Sequence, residues 1–165
     1  MAIPLGSPIT AHSNFFAKSV IIPEPGLAQE NIRAYINYTL NTNTPTSYFA
    51  YLDLYGGACS QANAVRIETF AAFSHRNRSW VAQHYGWADI DANFPDQGVD
   101  YNNGLNNALA SGVGTSYTSH EGYIGPKLAE EEAHSQYYGP IVYSKVKSIK
   151  TKVDTYDLFS SSFSI

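Results

Sequence analysis

The chain has 165 residues, 44% of them hydrophobic and 15% charged, with a formal net charge of −4. That is the length of one domain with enough apolar material for a core, and too little charge for a disordered chain. The acidic balance disfavours a nucleic-acid partner, no apolar run reaches membrane-span length, and the single cysteine, Cys59, excludes an internal disulfide and a Cys-based zinc cluster.

Residues 1–12 read as an N-terminal arm and 13–165 as one domain. The first residues, MAIPLGS, have no basic n-region and no long apolar h-region, so no signal peptide is expected and the chain is expected to be cytoplasmic. The N-x-[ST] sequons at Asn37 and Asn77 are then chance matches to a short motif. Ser13–Ile22 is rich in aromatic and β-branched residues and predicts a strand ended by Pro23 and Pro25. Gly26–Leu40 places Leu27, Ile32, Tyr35, Ile36 and Leu40 on one helical stripe, and the NTNTPT cluster after it is a turn.

Ser47–Tyr55 alternates with period two, which is the signature of a strand with unlike faces. Tyr48, Ala50, Leu52 and Leu54 call for a core. Phe49, Tyr51, Asp53 and Tyr55 offer rings, hydroxyls and a carboxylate, as a wet pocket wall does. Gly56–Gly57 breaks the strand. Phe70–Arg76 and Trp80–Trp87 predict two further strands joined as a hairpin at Asn77–Ser79. On the second of these, Val81, Gln83, Tyr85 and Trp87 share a face, with Trp80, Ala82 and His84 opposite. Asp89–Gln97 reads as a loop, and Val99–Ser111 as a helix with Leu105, Ala108 and Leu109 on its apolar side, closed by Gly112 and Gly114. Thr115–Ile124 predicts a fifth strand. Lys127–Gln136 predicts a short helix, with the acidic run Glu130–Glu132 near its N-terminus where the helix dipole favours it. Pro140–Val153 opens with proline and carries Val142, Val146, Ile149 and Val153 as the stripe of an amphipathic helix. The order of elements predicts an α+β fold: an antiparallel sheet with helices covering one face.

No G-x-G-x-x-G or P-loop occurs. His12, His75, His84, His120 and His134 do not fall at ligand spacings, so a metal is not expected and hydrogen-bonded or solvated imidazoles are. Cys59 beside a Gly-Gly turn reads as a small apolar filler. The chemistry therefore concentrates on Tyr51, Asp53, Tyr55, Gln83 and Tyr85. Such a face is either a pocket wall or a tyrosine-rich exposed or subunit-contact surface. A carboxylate among strand aromatics is unfavourable unless it is paired or useful, which favours the wall.

Asp53–Ser60 (DLYGGACS), Ala72–Arg76 (AFSHR) and Trp80–Tyr85 (WVAQHY), followed by the tail Tyr137-Tyr-Gly139, Ser144–Lys152, Leu158-Phe159 and Phe163-Ser-Ile165, resemble the C-terminal substrate-domain part of berberine-bridge-enzyme-like, glucooligosaccharide-oxidase-like FAD-linked oxidoreductases of fungal type. The resemblance runs from about Ser13 to the end. It implies an antiparallel sheet whose free face roofs a flavin, with substrate between the two. It also implies that the FAD-binding half lies upstream of Met1, so FAD, expected for the family, is not expected here. The segment holding the family's catalytic tyrosine reads Gly122-Tyr-Ile-Gly-Pro-Lys-Leu128, with Pro126 where the base belongs. Asp53 matches the carboxylate that assists that tyrosine, Gln83 a polar substrate-side residue, and Tyr51 a neighbouring wall position.

The expectation is thus a flavin-free, truncated relative in small-molecule (secondary-metabolite) biosynthesis that binds an apolar or aromatic intermediate on its sheet face and promotes cyclisation or isomerisation. Asp53, Gln83 and Tyr51 would be catalytic; Phe49, Tyr55, Tyr85, Trp87, His120 and Tyr123 would bind substrate. A homodimer or a separate partner subunit is expected to cover the exposed stripes, with no nucleic acid and no membrane. The alternatives are the substrate-domain half of a split FAD-dependent oxidase and a non-catalytic binding module.

Overall fold

The computed structural model describes residues 14–64, 73–89, 92–111, 129–160 and 165. In chain order these form β1 (Phe15–Pro23), α1 (Gln29–Asn41), β2 (Ser47–Leu54), α2 (Gln61–Ala64), β3 (Arg78–Trp87), α3 (Asp96–Ala110), α4 (Glu130–Tyr137) and α5 (Gly139–Val153). The fold is α+β. The described strands make an antiparallel sheet in the order β1-β3-β2.

β3 is the centre of that sheet. Its Trp87 stands opposite Phe15 of β1 and Ser47 of β2, and its Trp80 opposite Ile22 and Leu54. Both hydrogen-bonding sides of β3 are taken along its length. This corrects the predicted hairpin: the described part of Phe70–Arg76, residues 73–76, is not strand, because no side of β3 is left for it. The main buried cluster lies on one sheet face, while Ala17, Ile21 and Val81 are buried on the other. Val20 and Ile22 of β1 and Ala82 of β3 pack with Leu109 and Ala110 of α3, flanked by Leu27, Tyr35 and Trp80. α3 lies against β1 and β3, and α1 packs on α3.

Three apolar stripes read from the sequence are buried only in part, Leu27 and Tyr35 of the first packing on the core. In α1 the buried side chain is Asn31, whereas Ile32, Ile36 and Leu40 are exposed. α1 reaches α3 through polar atoms: the Asn31 amide donates to the Leu109 carbonyl at 2.9 Å and also to that of Ser111, at the C-terminal end of α3. In β2, Leu52 and Leu54 remain 42% and 60% exposed; among the described residues β2 is an edge strand, and α3 sits over the other two. In α5, Val142 is buried but Ile149 and Val153 are exposed. Cys59 is exposed rather than a filler. The predicted strand Thr115–Ile124, with Gly112 and Gly114, and the arm 1–12 lie outside the described residues.

The turn after β2 explains its glycine pair. A side chain at Gly56 would meet the Glu24 carboxylate and the backbone of Arg78 and Ser79, and Gly57 has φ +101°. The Gly57 N–H donates to Glu24 at 2.5 Å, and the Tyr55 and Gly56 N–H groups both donate to the Ser79 carbonyl. The end of β2 is thereby fixed against the start of β3.

Candidate functional site

The sheet face opposite α3 carries the polar-aromatic residues. The β2–β3 register sets Phe49 opposite Tyr85 and Tyr51 opposite Gln83, with Asp53 one pleat on, opposite Val81. Period-two alternation on two adjacent strands puts all of them on one side. The rings form a ladder. Phe49 stacks on Tyr85 at 4.7 Å and 19°, meets Trp87 at 5.4 Å and touches Tyr51 edge-on at 5.1 Å; Tyr51 stands edge-on to Tyr85 at 6.3 Å. Phe49 and Tyr51 are exposed, so the ladder has an open flank.

Beside the rings runs a short polar chain. The Tyr85 hydroxyl donates to Gln83 Oε1 at 3.1 Å, and Gln83 Nε2 donates to Asp53 Oδ2 at 3.3 Å. The carboxamide dipole is thus fixed in direction, and one Asp53 oxygen is held while the other is left to solvent or ligand. Asp53, Gln83, Tyr51, Phe49, Tyr85 and Trp87 are therefore brought together as the sequence predicted. Tyr55 is placed differently. The Arg78 guanidinium lies over its ring at 4.4 Å and over the Phe73 ring at 4.9 Å, with Arg76 also on Phe73 at 5.3 Å. Tyr55 belongs to this cation–π stack at the end of β2. His120 and Tyr123 lie outside the described residues, as does Pro126.

The arginine stack was not legible in the sequence, because Tyr55 is remote in the chain from Phe73 and Arg78 and meets them only at the β2 turn. Nor was the role of His84. It sits on the core face, where its Nδ1 faces Asn106 Oδ1 at 2.5 Å and its Nε2 faces the Tyr35 hydroxyl at 3.1 Å. Asn106 Nδ2 donates to the Ser19 carbonyl, which orients its oxygen toward His84. The imidazole is therefore the neutral tautomer that donates from Nδ1 and accepts from Tyr35 at Nε2. Burial pushes the His84 pKa down from 6.5 to about 4, against the Asn106 hydrogen bond, and pushes that of Tyr35 up to about 12. Among the described residues no group of three or more His, Cys, Asp or Glu side chains could hold a metal ion.

No family model matches the chain. The chitooligosaccharide oxidase of Gibberella zeae is 26% identical over 165 residues, which is 98% of this chain and 33% of that protein. The chain is thus similar, over nearly its whole length, to a part of berberine-bridge-enzyme-like FAD-linked oxidoreductases. Among solved structures, the Acremonium strictum glucooligosaccharide oxidase with 6-S-cysteinyl, 8α-N1-histidyl FAD superposes with a TM-score of 0.78, at 24% identity over 99% of this chain and 35% of that one. Physcomitrella patens BBE-like 1 gives a TM-score of 0.73 at 25% identity, over 96% of this chain and 32% of its own. The chain spans about a third of the length of these relatives.

The ladder offers a flat surface that suits a ring system. Arg76 and Arg78 lie over aromatic rings, and the Lys18 ammonium donates to Asn103 Oδ1 at 2.8 Å on the opposite face. No helix among the described residues is long and apolar enough to cross a membrane.

Proposed function

We propose that the ladder face binds a small molecule with a flat or ring-bearing apolar body and one carbonyl, and that the chain does so without holding flavin of its own. The observation that carries this reading is the junction of an open aromatic surface with the directed chain Tyr85–Gln83–Asp53. An apolar body on Phe49, Tyr85 and Trp87 excludes water from the polar row, where a proton transfer then faces less competition from solvent. In the finer reading the reaction is a redox-neutral isomerisation or cyclisation. The Asp53 carboxylate accepts a proton from the carbon next to the carbonyl and returns it at another carbon, so nothing is oxidised or reduced. Gln83 orients the carboxylate, and the Tyr51 hydroxyl donates to the carbonyl oxygen as negative charge grows there.

A second reading is favoured by the match of nearly the whole chain to a third of known oxidases: the face is the substrate wall of a larger FAD oxidase, and a sugar ring or an aromatic one stacks on the same ladder. One titration separates the two. Trp87 emission is followed while polycyclic quinones, cyclisable polyenes and oligosaccharides are added, with product formation read in parallel. The first reading expects quenching by an apolar ligand, about tenfold weaker binding in Phe49→Ala, and turnover lost in Asp53→Asn with binding kept. Turnover unaffected in Asp53→Asn, or oligosaccharides as the only ligands, overturns it in favour of the second.

A further inference from the structure

Where β2 begins and β3 ends, the sheet runs into a cavity of about 320 Å³ that the chemistry proposed above does not use. Pro45, Thr46 and Ser47, which lead into β2, form one wall. Asp89, Asn93 and Pro95, which follow β3, form the other. Trp87 joins the two walls, standing opposite Ser47 in the sheet. The wall after β3 is held in shape by three hydrogen bonds. The Ala88 N–H donates to the Asn14 carbonyl at 2.9 Å, the Asn14 carboxamide donates to the Ala92 carbonyl at 2.8 Å, and the Ala92 N–H donates to the Asp89 carbonyl at 3.0 Å. The cavity is therefore preformed, as ligand sites usually are.

Its lining has a sign and a preference. Among the described lining residues Asp89 carries the one formal charge, and it is exposed. Its carboxylate only accepts hydrogen bonds. The Ser47 hydroxyl and the Asn93 carboxamide oxygen can accept as well, and the face of an indole attracts a cation. Thr46 Oγ1 is buried and has no hydrogen-bond partner among the described residues, so one wall carries an unmet polar group. Such a lining suits a group with several N–H donors and a positive charge, and it repels a carboxylate or a phosphate.

Trp87 also belongs to the ladder, 5.4 Å from the Phe49 ring, so the cavity continues the candidate site. We infer that it is a second subsite, which takes an aliphatic ammonium group on the same molecule whose ring lies on Phe49 and Tyr85. The two residues from Phe49 back to Ser47 span about 7 Å of strand, which sets the length of the arm between ring and ammonium. The ligand class is thereby narrowed to ring-bearing carbonyl compounds with an aminoalkyl arm. The inference rests on the ladder reading for the place of the ring and on the cavity for the ammonium group.

The test is isothermal titration calorimetry of the full chain with three naphthyl methyl ketones. They differ only in the arm on the far ring: a methoxy group, a hydroxyhexyloxy chain or an aminohexyloxy chain. The aminohexyl ketone is expected to bind at least about tenfold tighter than the other two at low salt. That advantage should shrink as salt rises. It should vanish in Asp89→Asn and persist in Glu30→Gln, which removes a carboxylate on α1. Asp89→Asn should keep the wild-type affinity for the methoxy ketone and the wild-type far-UV circular dichroism spectrum, which separates a lost contact from a lost fold. An aminohexyl ketone no tighter than the methoxy one, a hydroxyhexyl ketone equally tight, or an advantage that survives Asp89→Asn overturns the inference. A methoxy ketone that fails to bind, or binds Phe49→Ala equally well, overturns the ladder reading instead. The ammonium subsite then stands if the aminohexyl ketone still binds through Asp89, and falls if it does not.

Discussion

Acidification should destabilise this fold through His84 in a defined window. The side chain is fully buried, neutral, and fixed between Asn106 and Tyr35. Its pKa is about 4 in the fold and 6.5 when exposed to water. Between those values the unfolded chain binds a proton that the folded chain does not, so stability rises with pH across the window. The contribution is whole above about pH 6.5, falls as pH drops, and levels off below about pH 4. A shift of this size corresponds to about 3 kcal/mol at 1.36 kcal/mol per unit. That is a large part of the 5–15 kcal/mol typical of a domain. The assay is urea unfolding at half-unit pH steps from 7.5 to 4, compared with His84→Phe. The variant is less stable at neutral pH, since Asn106 and Tyr35 lose their partner. Carboxylates titrate in both proteins, so the difference between the two slopes isolates the imidazole. The resonance of the His84 Cε1 proton should titrate near pH 4 in the wild type. Equal slopes in the two proteins, or a His84 resonance titrating near 6.5, would refute the reasoning.

Three further substitutions probe the packing that supports the ladder from behind. Leu109→Ala empties a fully buried position against Val20, Ile22 and Ala82 and should cost about 3 kcal/mol in chemical denaturation, with the ladder's near-ultraviolet signal kept in the native state. Asn31→Ala removes the two donors that join α1 to the end of α3 and should cost about 2 kcal/mol. Asn31→Asp should cost more, since a carboxylate then faces the carbonyls of Leu109 and Ser111. The urea midpoints of the three proteins check the order.

The candidate site was largely legible because both of its strands announce themselves. The alternation of Ser47–Leu54 and of Trp80–Trp87 fixes which residues share a face, whatever the strands pair with. That Phe49, Tyr51 and Asp53 share one face of their strand, and Gln83, Tyr85 and Trp87 one face of theirs, needed no tertiary information; that the two faces match came from the β2–β3 register. What periodicity could not give is which of two faces is buried. On β2 the leucine face reads as core, yet among the described residues it is the flank of an edge strand, and that placement was set by β1 and β3 pairing over a long chain separation.

The sequence by itself determined the α+β class, the helices at 29–41, 96–110 and 139–153 to within a few residues, and the composition of the ladder face. Only the tertiary structure decided that β3 is central, that α1 docks through Asn31 rather than its isoleucines, that Tyr55 joins Arg78, and that His84 is a neutral core residue. The physical reason is the same in each case. Local pattern records the geometry of one element, with period 3.6 or 2, whereas burial depends on which remote element arrives to cover it. A polar side chain such as Asn31 or His84 looks exposed until a carbonyl or hydroxyl from elsewhere in the chain satisfies it, and that partner has no sequence signature.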